Sequence, residues 1–125
     1  MAKFLHKAFT YKEAQNLIEN GADIDRKLDN IFYCGRTPLN QAAFESKLEV
    51  AKCLVDNGAE IESKDWSGRT ALHQAAYNGD LEIVKYLIEH GAKIEAKDNQ
   101  NETPFGLSEN RKQFKVSNYF SRIQN

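Results

Sequence analysis

The stretch that decides the fold is "GRTALHQAAYNGD", residues 68–80. Thirty-three residues earlier, from position 35, the chain reads "GRTPLNQAAFESK". When the sequence is slid against itself by 33, residues 35–64 and 68–97 agree at 16 of 30 positions. The agreements include Gly35/Gly68, Arg36/Arg69, Thr37/Thr70, Leu39/Leu72, Gln41/Gln74, Ala42/Ala75, Ala43/Ala76 and Lys64/Lys97. Self-similarity at a fixed period is the mark of a stacked array, in which no unit buries its apolar face alone. A further copy starts at Asp98, with Thr103-Pro104 falling 33 after Thr70, and a partial one precedes: "NLIENGADID" (16–25) parallels "YLIEHGAKIE" (86–95).

Each copy holds two short helical patterns. In the copy that starts near Gly68, Thr70 is placed to cap a helix whose apolar stripe is Leu72, Ala75 and Ala76, and Gly79 ends it. Asp80 caps the next, with Leu81, Val84, Leu87 and Ile88 as its stripe and Gly91 as a left-handed stop. Pro38 and Pro104 each follow a threonine, where a first-turn proline fits. Helices of about ten residues are marginal alone in water, so neighbours must hold them. The Ala42-Ala43 and Ala75-Ala76 pairs let successive first helices approach closely. Between copies, "GAEIESKDWSG" reads as an extended, hairpin-like finger.

These residues resemble a known family. Asp-x-x-Gly-x-Thr-Pro-Leu-His-x-Ala-Ala-x-x-Gly, then Leu-x-x-Val-x-x-Leu, then Gly-Ala-x-Ile, is similar to the ankyrin repeat. Asp65 to Ile94 follow it nearly throughout, with Ala71 for the usual proline. Residues 35–64 carry Asn40 for the histidine and Ser46 for the glycine, and the last copy has Gly106 and Ser108 where histidine and alanine belong. The resemblance implies an all-α solenoid of helix-turn-helix units with short β-hairpin-like fingers. The expected organisation is one domain, 1–125: a cap repeat over 1–29 with a finger insertion to 34, repeats over 35–64 and 65–97, and a second cap over 98–125. The first cap lacks the Thr-Pro-Leu-His start and should have a short first helix. The second should turn Phe114, Tyr119 and Phe120 to one face, keep Arg111, Lys112 and Lys115 wet, and fray over 121–125. This predicts a complete four-unit array.

From Ile24 to Thr37 is four residues longer than from Ile61 to Thr70. Long loops cost little closure entropy, so the insert reads either as neutral drift or as a contact loop. Its Leu28, Ile31, Phe32 and Tyr33 favour the second reading, since exposed apolar groups of this kind mark interaction sites.

Composition excludes more than it selects. The 125 residues carry a net charge of −1, which opposes binding to nucleic acid or to acidic lipid. No apolar run approaches the ~18 residues of a membrane helix. "MAKFLHKAFTYKEAQ" lacks the apolar block and cleavage site of a secretion signal, which predicts a cytoplasmic protein, or one in a host cytosol if it is an effector. Cys34 and Cys53 read as reduced thiols. The sequence shows no nucleophile elbow, phosphate loop or dinucleotide glycine pattern, and no histidine stands at zinc spacing from the cysteines. The resemblance gives His73 a structural hydrogen bond toward the Thr70 turn. His90 suits a helix C-terminus, and His6 has no reading. Asp23, Asp25, Glu60, Glu62, Asp65 and Glu95, interspersed with Lys64 and Lys97, read as solvated mixed-charge edges. The hairpin asparagine that many family members hydroxylate is here Asp25, Glu62 and Glu95. No enzyme, cofactor or metal site is expected.

Variable, outward positions are the candidates for contact. Tyr33 and Trp66 fall at the fingertip and Phe44 and Tyr77 at the outer end of the first helix, each pair 33 apart. Large aromatics dominate interface energy. Leu28, Phe32, Arg36, Glu45, Arg69, Asn78, Asn99, Asn110 and Arg111 complete the expected surface, chiefly as a polar rim. The opposing reading packs Trp66 over the finger backbone and Tyr77 against the next copy. The function expected is non-catalytic protein binding by an adaptor or inhibitor, monomeric when unbound. The alternative is a small-molecule or nucleic-acid-binding regulatory domain.

Overall fold

The computed structural model describes residues 5–28 and 30–124. A single 3-10 turn, Leu5–Lys7, is followed by seven α-helices: α1 Tyr11–Glu19, α2 Pro38–Phe44, α3 Leu48–Asp56, α4 Ala71–Asn78, α5 Leu81–Glu89, α6 Pro104–Asn110 and α7 Phe114–Ile123. Caps explain most of the boundaries. Thr37, Thr70 and Thr103 hold extended backbone, and each hydroxyl accepts the N–H three residues on, from Asn40, His73 and Gly106. Pro38 and Pro104 open their helices, where the missing N–H costs nothing. Thr10 and Asp80 cap α1 and α5 in the same way.

The helices pair and the pairs stack. α2, α4 and α6 form an inner layer, and α1, α3, α5 and α7 an outer one. Ala43, Ala75 and Ala76 are fully buried in the seam between inner helices, with Ala42 nearly so. Leu39, Val50, Leu54, Leu72, Ile83, Val84 and Leu87 fill the space between the layers. Each such side chain contributes about 1.5–3 kcal/mol by leaving water, which the short helices require.

The fingers are closed by turns and no strand forms among the described residues, though Asp65 N–H donates to Arg69 O and Asp98 N–H to Glu102 O across them, both 3.0 Å. The reason lies in the aspartates. Asp65 Oδ1 accepts the N–H groups of Ser67 and Arg69 at 2.9 and 3.0 Å. Asp98 Oδ1 accepts those of Gln100 and Glu102 at 2.9 and 2.8 Å. The carboxylate thus takes amides that a hairpin ladder would have used. Asp65 is therefore part of the framework, not a solvated edge, and Asp98 is buried. Successive fingers are joined by one backbone bond per copy, Trp66 N–H to Cys34 O and Asn99 N–H to Ser67 O, both 3.0 Å.

The ends depart from expectation in detail. Among the described residues, the first helix of the first pair is a single 3-10 turn. At the other end Phe120 is buried and Tyr119 half-buried against the core, but Phe114 points outward at 68% exposure. The segment from Ser121 to Ile123 continues α7 instead of fraying.

Candidate functional site

The fingers and the ends of the inner helices share one face, and arginines join them. The Arg36 guanidinium lies over the Phe44 ring at 3.8 Å, and Arg69 lies over Tyr77 at 5.3 Å. Arg111 reaches the same Tyr77 ring at 4.5 Å from the end of α6. One contact therefore repeats in register: an arginine just before the capping threonine covers the aromatic at the end of the helix that follows. Phe44 is 43% exposed, Trp66 52%, and Tyr33 and Tyr77 are half-buried, so none of the four rings is in the core. Tyr33 meets the His6 ring edge-on at 5.3 Å.

The two arginines differ in their polar contacts, and the sequence explains why. Arg69 Nε pairs with Asp98 Oδ2 at 3.4 Å. The counterpart oxygen for Arg36 would be Asp65 Oδ2, but Gln74 Nε2 already donates to it at 2.9 Å. Leu107 stands where a third glutamine would be, which leaves Asp98 to Arg69. Arg36 therefore donates through Nη1 to Gln41 Oε1 at 2.9 Å, and its buried Nε has no partner among the described residues.

Other expected contact residues fare unevenly. Phe32 is 79% exposed beside Ile31 at 80%, on a turn whose amides are held by Asn30 Oδ1. Leu28 is buried: it bridges Arg36 in antiparallel fashion, folds the insert back on itself and leaves the candidate surface. Asn78 is committed to the stack, for its amide donates to Ala43 O and Phe44 O at 3.2 and 2.7 Å, carbonyls in the last turn of α2. Asn99 donates to Trp66 O, Asn110 to Glu102 Oε2, and Glu45 pairs with Lys47. Trp66 joins both readings of it, half exposed and yet resting on the preceding finger at Gly35.

One surface residue was missed. Phe9 is 73% exposed, with Lys47 over its ring at 4.1 Å. Leu5-His6-x-Ala8 repeats Leu72-His73-x-Ala75, but at a spacing of 67 instead of 66, so a search at 33 passes it by. The same match gives His6 its role. His6 Nε2 bonds Arg36 O at 2.9 Å, just as His73 Nε2 bonds Glu102 O at 2.9 Å, one residue before the next copy's threonine in both cases. His73 Nδ1 accepts from Thr70 N–H at 3.1 Å, so Nε2 carries the proton and the ring is neutral. Burial pushes both pKa values down. Asn40 holds the threonine turn in the same way in the second copy, Oδ1 taking Thr37 N–H, but its Nδ2 donates to Ser63 O instead of to the carbonyl before the next threonine.

On the outer face, Asp56 accepts from Tyr11 at 3.0 Å and from Tyr86 at 2.8 Å, linking α1, α3 and α5. Burial and that hydrogen bond raise the Tyr86 pKa to about 12. Both cysteines are free thiols. Among the described residues no three His, Cys, Asp or Glu side chains are grouped to hold a metal, and no helix is long and apolar enough to cross a membrane.

A family model described as ankyrin repeats, in three copies, matches residues 5–98. No curated protein matches the chain.

Proposed function

Since this chain belongs to the ankyrin-repeat family, whose repeats generally serve as protein–protein interaction modules, we propose that it is a non-catalytic adaptor or inhibitor acting in the cytoplasm. It binds through the face built from Trp66, Phe44, Tyr77 and the arginines between them. The observation that carries this is the repeated arginine–aromatic pair on a face that the stack holds rigid. A pre-ordered surface loses little conformational entropy on binding. The exposed Ile31-Phe32 turn extends the same edge. The small-molecule alternative finds less support, because the clefts along the face, about 220 and 260 Å³, fall below the ~300 Å³ of ordinary ligand pockets.

Capture from a cell lysate, followed by mass spectrometry, tests the reading. The wild-type protein retains a partner, and the Trp66→Ala, Tyr77→Ala double variant loses it while keeping its helical circular dichroism. Equal retention by the two proteins would remove this face from consideration.

A further inference from the structure

We infer that the partner presents an acidic, extended segment, a reading that rests on the binding face proposed above. Charge is unevenly spread along the stack: three of the outer helices lean acidic, while the terminal one, α7, carries only Lys115 and Arg122. Each of the outer helices α1, α3 and α5 carries two acids and one lysine: Glu13, Glu19 and Lys12; Glu49, Asp56 and Lys52; Glu82, Glu89 and Lys85. The inner helices α2 and α4 carry no charge at all, and α6 carries only Glu109. The charge of the inner face comes instead from side chains laid over its rings: Lys47 over Phe9, Arg36 over Phe44, and Arg69 and Arg111 over Tyr77. A partner therefore meets cations first. Of the acids near these rings, Glu45 pairs with Lys47, Asp98 with Arg69, and Glu102 accepts from the Asn110 amide. Arg36 and Arg111 have no carboxylate partner among the described residues, and the Nε of Arg36 is already out of water. A carboxylate supplied from outside pairs with the parts of the two guanidinium groups that face solvent, the covered Arg36 Nε staying out of that contact.

Peptide fits this face better than nucleic acid. Bases bind single-strand platforms by stacking on open rings, but these ring faces are covered by the protein's own cations, and the outer helices α1, α3 and α5 are acidic. The spacing is set by the stack. Neighbouring inner helices sit about 8–10 Å apart. A polyproline II chain advances ~3.1 Å per residue with three residues per turn, so every third side chain returns to the same side after about 9 Å. Carboxylates at every third position therefore meet successive repeats.

The probe is a fluorescein-labelled peptide of Glu-Pro-Ala triplets, with Gln-Pro-Ala and Lys-Pro-Ala counterparts and a uridine oligonucleotide. Binding is followed by anisotropy at about 50 and about 300 mM NaCl, which spans the range where screening closes in. The Glu peptide should bind tightest and weaken with salt. Arg111→Gln, an exposed change that leaves the melting temperature unmoved, should weaken it about threefold, the share of one solvent-exposed pair. Arg36→Gln with Arg111→Gln should weaken it about tenfold. Equal binding of the Glu and Gln peptides, no binding, tighter binding of the oligonucleotide, or indifference to Arg111→Gln would overturn the inference. A lysate partner lost in the Trp66, Tyr77 variant but indifferent to Arg111→Gln would leave the binding face standing and remove only its acidic occupant.

Discussion

The Trp66 indole occupies the space that a Cβ on Gly35 would fill. An added methyl there would overlap Cδ1, Cγ and Nε1 of the ring. The same relationship recurs one copy later, with the Asn99 carboxamide over Gly68. Each finger thus leans on a glycine of the finger before it.

Gly35→Ala should therefore act on Trp66 at a distance in sequence. Gly35 has φ of 75°, which costs an alanine about 1–2 kcal/mol, and the ring must also move. Trp66 is the only tryptophan, so its emission reports directly. The expected outcome is a red-shifted emission and a lower melting temperature with helical circular dichroism retained. An unmoved emission spectrum would show that the ring does not depend on the glycine.

The helices were legible because local residues set them. Thr37, Thr70 and Thr103 start helices, and Gly79 and Gly91 stop segments, each through a bond or dihedral of its own backbone. The inner seam was legible from the alanine pairs. The fingers were legible in place but not in their bonding, because Ile61 and Ile94 between polar residues look like strand, while some of the amides are taken by the Asp65 and Asp98 side chains. Asn78 looked like a free rim residue because its acceptors, Ala43 O and Phe44 O, lie 35 and 34 residues away and adjoin it only once the pairs have stacked. His6 was hidden because the first unit is three residues shorter and its finger four residues longer than in the next copies, a net break in register of one.

His73 and Asn40 both accept the N–H of a capping threonine, so His73→Asn should be tolerated better than His73→Ala. Alanine leaves the Thr70 N–H without its side-chain acceptor, removes one of two donors to the Glu102 carbonyl (Asp98 N–H is the other) and opens a cavity in the core, together costing about 2–4 kcal/mol. Asparagine restores the Thr70 bond but not the Glu102 one, since Asn40 reaches Ser63 O instead, and urea denaturation should place it between alanine and wild type, about 1 kcal/mol below the latter.

The same imidazoles predict a pH dependence. His6 and His73 have folded pKa values below the ordinary value, so the unfolded chain binds more protons at mildly acidic pH. Their contribution is intact above the unfolded value near 6.5 and is lost as pH falls from there through the lower folded values. Melting temperature should drop on going from neutral pH into that window, and His73→Asn should make the drop shallower. An equal drop in the variant would assign the acid sensitivity elsewhere.

Asp56→Asn should bring the Tyr86 phenol down from about 12, but not fully to its ordinary value, because burial contributes more to the shift than the hydrogen bond does. Ultraviolet titration of the tyrosines against a Tyr86→Phe control would read it. A pKa unmoved by Asp56→Asn would mean that the bond between α3 and α5 contributes nothing in solution.

Ser46, Gly79 and Lys112 stand at one position of three successive copies, and all three are left-handed, at φ of 58, 76 and 57°. Only the middle copy uses the residue that adopts this region without steric cost. Ser46→Gly and Lys112→Gly remove a strain of about 1–2 kcal/mol each, against which the unfolded chain regains about 0.5–1 kcal/mol of freedom. The net is a stabilisation of about 0.5–1 kcal/mol per site. Lys112 should give the cleaner reading: its side chain is exposed and makes no packing contact in the core, whereas Ser46 lies beside Lys47, which holds Glu45 and the Phe9 ring. The two sites lie in different helix pairs, so their effects should add. Chemical denaturation of both single variants and the double variant would decide it. Destabilisation at either site would mean that the side chain supplies something the backbone strain conceals.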